Sequence, residues 1–408
     1  MDTSPIYTLL EEREQEWKLL RRAFHRQPEL MYDVDRTSER VAELLEQYGL
    51  EVQRNVGKHF GKGVIGILRG GLPGKTVLLR ADMDALPIYE QNEVDYRSTI
   101  DGVMHACGHD AHMTMLLAAA YGLSRQREQL AGTVRFIFQP AEEGAAESPL
   151  DGRLLSGGRD LVESGAADGV SAAFAFHVWP ELPAGQVAVH RHYAMAASTH
   201  FRVSFRGRSG HHGAQHLAAD ALLMTAHFVT ESRAAVASAV NPFEPVAFAF
   251  GRLQAGTVIN AIAEAGEVEG TYRAFEPHTV ERIRGIIENC AVACAERFGG
   301  EYEVRFRMGK ALINHPKAVE LVQHAGNKAA GKDRSRVLDT PSLAGEDFSY
   351  YLDYAPGAMV LIGIGNQEKG IIHPLHHPRF ELDESALVLG AKLFVQLAAD
   401  SLAAERNG

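Results

Sequence analysis

The stretch "MHACGHDAH", residues 104–112, places His105, Cys107, His109, Asp110 and His112 in one short turn of a chain that has only three cysteines. Thiolate, imidazole and carboxylate are the donors that hold zinc and other late first-row metals, and carboxylates also admit manganese. Cys107 and His109 are separated by Gly108, which lets a loop turn tightly enough for both to face one ion. Four other stretches carry residues of the same kind: "RADMDALP", "QPAEEG", "FHVWP" and "LHHPRF". A lone histidine at a strand end is more often structural than a ligand, but five such stretches meeting at one sheet edge would form a site. The adjacent Glu142 and Glu143 follow a Gln-Pro break rather than lying on a helix. Neighbouring side chains diverge in such a segment, so one carboxylate can bind metal while the other faces a water as general base. Two divalent ions about 3.5–4 Å apart can hold an attacking oxygen and a scissile carbonyl together.

The elements that would carry these stretches alternate. "EWKLLRRAFHRQPEL" and "RTSERVAELLEQYGL" read as helices, "GVIGILRG" and "KTVLLRADMD" as strands, "HMTMLLAAAYGL" as a helix, and "TVRFIFQ" and "AAFAFHVW" as strands. The strands are nearly continuous apolar runs, as expected when helices cover both faces of a mostly parallel sheet. From about residue 195 the pattern changes: in "THFRVSFRG", Phe201, Val203 and Phe205 alternate with Arg202, Ser204 and Arg206, and "YEVRFRM" repeats the alternation. A long helix near 217–239, strands near 246–253 and 266–275, and a helix containing Cys290 and Cys294 complete a small α+β unit. Val280, Ile283, Ile287, Cys290 and Cys294 fall on one helical stripe, which predicts that both cysteines are core residues, with Gly299 and Gly300 ending the helix. After about residue 310 the first style returns, with a helix, the strand "AMVLIGIG" and the closing helix "ESALVLGAKLFVQLAADSL". The expected fold class is α/β, with a mostly parallel central sheet interrupted by a smaller α+β domain. The expected boundaries are 1–192, 193–309 and 310–408.

Length and composition agree with two or more packed domains: 408 residues, 46% hydrophobic and 23% charged. The formal net charge of -11, without a lysine or arginine run, argues against nucleic acid as a partner. The amino-terminal "MDTSPIYTLLEEREQEW" lacks the basic and apolar regions of a signal peptide, and no stretch approaches the ~18 consecutive apolar residues of a membrane span. An odd cysteine count without a disulfide framework fits a reducing compartment, so a cytoplasmic protein is expected.

Taken in order, "RADMDALP", "HACGHDAHMTMLLAAA", "FQPAEEG", "FHVWPELPAGQ", "AGEDFSYY" and "LHHPRFELDE" resemble the successive motifs of the M20 metallopeptidase family. The resemblance is to its aminoacylase, hippurate hydrolase and auxin-conjugate amidohydrolase branch, and runs from about residue 16 to the closing helix. It implies a di-metal catalytic domain interrupted by a lid that also mediates dimerisation. By this likeness Cys107, His109, Glu143, His177 and His376 match metal ligands, Glu142 the general base, and Asp84 an aspartate that orients a ligand. His377 stands where a serine is more usual, so His376 is the expected ligand, while His105 and His112 are expected to be supporting or structural residues. "GRSGHHGAQH" resembles the family's "GKGGHAAMPH", which assigns His211 to the histidine that reaches a neighbouring subunit's site and stabilises the oxyanion. Asn260 and Arg273 match lid residues that contact substrate.

Gln215, Ala263 and Glu264 depart from the family pattern, and "AAESPLDGRLLSGG" after Glu143 is longer than is typical, which predicts an altered pocket rim. The activity implied is metal-dependent hydrolysis of N-acyl amino acids to a carboxylic acid and a free amino acid. It would use two divalent ions drawn from zinc, manganese, cobalt or nickel, in a homodimer or higher homo-oligomer that engages neither membrane nor nucleic acid. A dipeptidase or carboxypeptidase would use the same site, and a non-catalytic scaffold of the same fold is the reading from a different class.

Overall fold

The computed structural model describes residues 1–404. The chain forms two compact units, one of Met1–Ala194 with Ile313–Thr340 and the chain from Asp347 onward, the other of Met195–Leu312 with Pro341–Glu346.

In the first unit eight strands form one sheet, in the order Glu51–Val56, Gly63–Arg69, Ala131–Gln139, Leu72–Asp82, Ala172–Pro183, Gly357–Gly365, Val187–His190 and Ser335–Leu338. The three central ladders and the last edge ladder are parallel. The others are antiparallel. The central strands are the apolar runs read from sequence, and Val77–Ala81, Phe136–Phe138 and Phe174–Val178 are all buried. Helix His109–Ser124 buries every residue before Ser124, and it packs on the closing helix Ala386–Ala404. A helix that is apolar all round belongs in a core. Ala386–Ala403 is long and apolar enough to span a bilayer, yet 83% of it is buried inside the protein, with Phe394 stacked on Phe176 at 3.6 Å. Counting consecutive apolar residues does not detect this helix, because Lys392, Gln396 and Asp400 interrupt the run.

In the second unit the antiparallel order is Ala247–Ala255, Ala265–Ala274, Ala197–Arg206 and Glu301–Arg307. Helices Ala221–Ala239 and Pro277–Phe298 pack on it. Phe201, Val203 and Phe205 are buried, while the opposite face carries Arg202 and Arg252 paired with Glu267 and Glu269.

Two local expectations are corrected. The long helix starts at Ala221, not near 217, because Asp220 caps it by accepting from Leu222 N at 2.9 Å, and the preceding His212–Leu217 is a 3-10 turn. Cys294 is buried as expected, but Cys290 is only half-buried, since Ala291 takes the core position one residue on. Gly299 ends that helix in the left-handed conformation, φ 69°.

Candidate metal centre

Strand Leu72–Asp82 sends Arg80 and Asp82 in the same direction, Asp84 follows two residues past its end, and all three are buried. The next turn is built around Gly108 at φ 84°, where a Cβ would lie 2.3 Å from Val178 Cγ2. No other residue type fits there, so Cys107 and His109 are brought close by backbone geometry. Cys107, His109 and His177 hold their ligand atoms within 4.8 Å of one another, as do Cys107, Glu143 and His376, and His109, Glu142 and Glu143. The individual separations are 3.4 Å from Cys107 Sγ to His177 Nε2, 3.3 Å from Cys107 Sγ to His376 Nε2, and 3.8 Å from His109 Nε2 to Glu143 Oε1.

Asp84 holds the paired glutamates. Its Oδ1 accepts from Glu142 N at 3.0 Å and its Oδ2 from Glu143 N at 3.1 Å. Its Oδ1 also lies 3.6 Å from His109 Nδ1. Its hydrogen bonds therefore go to the backbone of the glutamate loop, with the His109 ring close by. Ala141, just before Glu142, has φ 48°, and His376 has φ 63°. Left-handed non-glycine residues cost on the order of 1–3 kcal/mol, and they persist where surrounding contacts over-determine them. Here Ala141 N donates to Met31 O at 3.0 Å, and His376 N to Ala106 O at 2.8 Å.

His376 and His377 are separated by these contacts. His376 Nε2 lies 3.3 Å from Glu143 Oε1 and 3.3 Å from Cys107 Sγ. His377 stacks on His373 at 4.3 Å, and its Nδ1 accepts from Arg379 N. His177 lies within strand Ala172–Pro183, which keeps pairing with Gly357–Gly365 beyond that point.

The chemistry of the donor set fits divalent cations. Neither ring nitrogen of buried His109 has a hydrogen-bond partner, nor has Glu143 Oε1. Buried polar atoms are rarely left so, and an ion is one of the standard reasons. Burial pushes the Cys107 thiol well above its ordinary range, and Glu143 and Glu142 push it further. Burial opposes protonation of His109, but Asp82, Asp84 and Glu143 outweigh it and raise the group to about 10. Burial lowers His177 to about 3, with His112 and His109 adding to the effect. The cluster thus concentrates negative potential around a thiol and an imidazole, and a cation inverts that situation, favouring thiolate and neutral imidazole.

Of the residues matched to the lid, His211 is exposed, its Nδ1 accepting from Gly213 N at 3.1 Å. Asn260 is exposed in a turn, and half-buried Arg273 donates to Leu343 O at 2.8 Å. The long segment after Glu143 is a short hairpin of Ala146–Glu147 with Leu154–Leu155. His59 anchors it, with Nδ1 2.8 Å from Ser148 Oγ. Sequence reading passed over Arg80 and Asp82, whose signal was their alternation at the end of one strand, continued by Asp84 just past it. It also passed over the buried Arg21–Asp110–His25 cluster behind the turn, in which Asp110 Oδ2 is 2.7 Å from both Arg21 Nε and His25 Nδ1. The i,i+4 spacing of Arg21 and His25 on a helix was its signal.

The sequence model of Peptidase family M20/M25/M40 matches residues 78–400. The chain is 34% identical to thermostable carboxypeptidase 2 of Saccharolobus solfataricus, over 93% of each protein. It is 33% identical to N-acetylcysteine deacetylase of Bacillus subtilis, over 93% of this chain and 95% of that protein. Among solved structures, the Bacillus subtilis YXEP protein, described as a dinuclear metal binding peptidase from the M20 family, superposes with a TM-score of 0.78 at 30% identity, covering 96% of this chain and 99% of that one.

Proposed function

The chain belongs to Peptidase family M20/M25/M40, and from that premise we propose that it is a metal-dependent amidohydrolase cleaving N-acyl amino acids to a carboxylic acid and the free amino acid. The observation that carries this reading is the pair Glu142–Glu143, whose two backbone N–H groups are pinned by Asp84 while Glu143 turns toward Cys107 and His376. Cys107, His109, Glu143, His177 and His376 would hold two divalent ions, whose charge Asp84, Glu142, Glu143 and a Cys107 thiolate would balance. When bound, the ions supply Lewis acidity to a carbonyl and lower the pKa of water. Thiolate with imidazole favours zinc, cobalt or nickel, and the carboxylates also admit manganese.

Glu142 takes the proton of the attacking water and later delivers it to the leaving nitrogen, which must leave as an amine. Asp84 keeps Glu142 in place by holding its N–H. His211 donates to the oxyanion of the tetrahedral intermediate, and Asn260 and Arg273 hold the substrate, the guanidinium taking the α-carboxylate. The support for His211 acting in a second copy is the surface of its own unit: Leu217, Leu222, Val258 and Ile259 are exposed, Ile259 at 93%, and strand Ala247–Ala255 is a sheet edge. Such a face suits a homodimer. Three free thiols suit a reducing, cytoplasmic setting.

A carboxypeptidase or dipeptidase reading is favoured by the carboxypeptidase relative, and it shares the same bond chemistry. The test is release of free amino acid from N-acetyl, N-benzoyl and longer N-acyl amino acids beside unblocked dipeptides. Acyl amino acids turned over faster by at least about tenfold in kcat/KM support the amidohydrolase. Dipeptides as the only substrates would overturn it.

A further inference from the structure

His112 is fully buried, and both of its ring nitrogens are engaged. Val178 N donates to its Nε2 at 2.9 Å, so Nε2 is the acceptor and Nδ1 carries the proton, which is donated to Asp82 Oδ1 at 2.6 Å. The other oxygen of Asp82 is held by Arg80 Nη1 at 2.6 Å, and Arg80 is held in turn by Gln139 Oε1 and Asp347 Oδ1, each at 3.0 Å. Asp347 accepts from Gly158 N at 2.7 Å, which closes a buried chain through several elements of the first unit.

On its other side the chain reaches a ligand. The carbonyl of Val178 accepts from His177 Nδ1 at 2.8 Å, which leaves His177 Nε2 with a lone pair 3.4 Å from Cys107 Sγ. One peptide residue is therefore gripped twice, at its N–H by His112 and at its C=O by the ring that faces the cluster. The His112 ring also stacks on His109 at 5.3 Å and meets His177 edge-on at 4.9 Å. His112, Asp82 and His109 are close enough together to form a ligand set of their own. A metal there would have to displace the Val178 N–H or the Asp82 hydrogen bond, each of normal length.

We propose that His112 is a positioning residue for the metal centre, tying Asp82 to the main chain that aims His177, and that it binds no metal itself. Resting on the dinuclear reading above, this assigns to His112 the task of fixing the tautomer and direction of a ligand it never replaces. Partners of this kind are worth about 10–100-fold in metal affinity or activity. Phenylalanine would keep the ring contacts and lose both hydrogen bonds. Glutamine would keep one donor and one acceptor.

The test uses the full chain, wild type with His112→Phe and His112→Gln, loaded with cobalt(II) and read by the thiolate-to-cobalt charge-transfer and d–d absorption bands. Cobalt affinity is measured by chelator competition and kcat and KM on the substrate found above. The proposal expects His112→Phe to bind as many cobalt ions as the wild type, with affinity weakened by about 10–100-fold, shifted d–d bands and kcat reduced at a KM within about threefold. His112→Gln should move the bands and the affinity back toward the wild type. Loss of one cobalt ion from either variant would make His112 a ligand and overturn the proposal. So would a His112→Phe protein with wild-type affinity, spectrum and kcat. Should the phenylalanine variant fail to fold, His112→Gln decides: cobalt stoichiometry kept with wild-type-like bands supports the assignment, and a missing ion refutes it. A wild-type protein that takes up no cobalt overturns the dinuclear reading itself, which separates that failure from the failure of His112 alone.

Discussion

Two of the histidine-rich turns in this chain are opposites. "MHACGHDAH" buries His105, His109 and His112, whereas "GRSGHHGAQH" leaves His211, His212 and His216 exposed. In the first, the backbone is pinned by a left-handed glycine and by packing against Val178, and His109 and His112 are surrounded by carboxylates and other imidazoles. In the second, the His211 ring accepts a hydrogen bond from Gly213 N within the same turn. A buried imidazole acquires its chemistry from the fold it is part of. The exposed His211 meets no such groups in its own turn and would acquire its chemistry from something that arrives, whether substrate or a second copy. The exposed His376, by contrast, already lies 3.3 Å from Cys107 Sγ.

Several experiments would break or sharpen this contrast. The largest effect is expected at Glu142: Glu142→Gln should lower kcat by about 10³-fold or more, since one group carries the proton in both directions, while metal content by elemental analysis stays at the wild-type value. Near wild-type turnover with metal bound would remove Glu142 from the mechanism. Next is the exposed turn. His211→Ala should lower kcat by about 10²–10³-fold, the worth of one oxyanion donor, again without change in metal content. If His211 serves a second copy, mixing unfolded and refolded Glu142→Gln with His211→Ala should recover up to about a quarter of wild-type activity, because a two-fold heterodimer rebuilds one complete site. No recovery from a mixture shown to contain heterodimers would place His211 in its own chain's chemistry or outside it.

A third comparison lies within "LHHPRF". His376→Ala should lose metal affinity by at least about tenfold and activity with it, whereas His377→Ala, which loses a stacking partner and one local acceptor, should stay within about threefold in both. Equal losses would mean that stacking on His373 matters as much as ligation. The smallest effects belong to His212 and His216: alanine at either should change thermal stability by about 0.5 kcal/mol or less and leave kcat intact, as for exposed positions with no buried partner.

Much of this was legible in the sequence because the signals were local. The continuous apolar strands announced a sheet covered on both faces, and alternation in "THFRVSFRG" marked the second unit. Ligand-type residues at strand ends point to a site by their types and placement alone. What was not legible depended on contacts distant in sequence. The half-exposure of Cys290 follows from where the helix faces its sheet, a choice between Cys290 and Ala291 that one stripe cannot make. The start of helix Ala221–Ala239 was hidden because "HHGAQHLAAD" is helix-compatible until Asp220 caps the next segment. The hydrogen bonds of Asp84 to Glu142 N and Glu143 N span nearly sixty residues. Those of Arg80 to Asp347 span far more. No spacing rule reaches that far, although the i,i+2 spacing of Arg80, Asp82 and Asp84 raises the question.

The most direct test of the central claim is metal removal and return. The protein is depleted by chelation, assayed on an N-acetyl amino acid, then titrated with manganese, zinc, cobalt or nickel while both bound metal and product are counted. The account predicts that depleted protein is inactive and that turnover returns as about two ions bind per chain, with at least one of these metals. Full turnover by protein shown to be metal-free, or stoichiometric metal uptake without hydrolysis of any acyl amino acid or dipeptide, would contradict it.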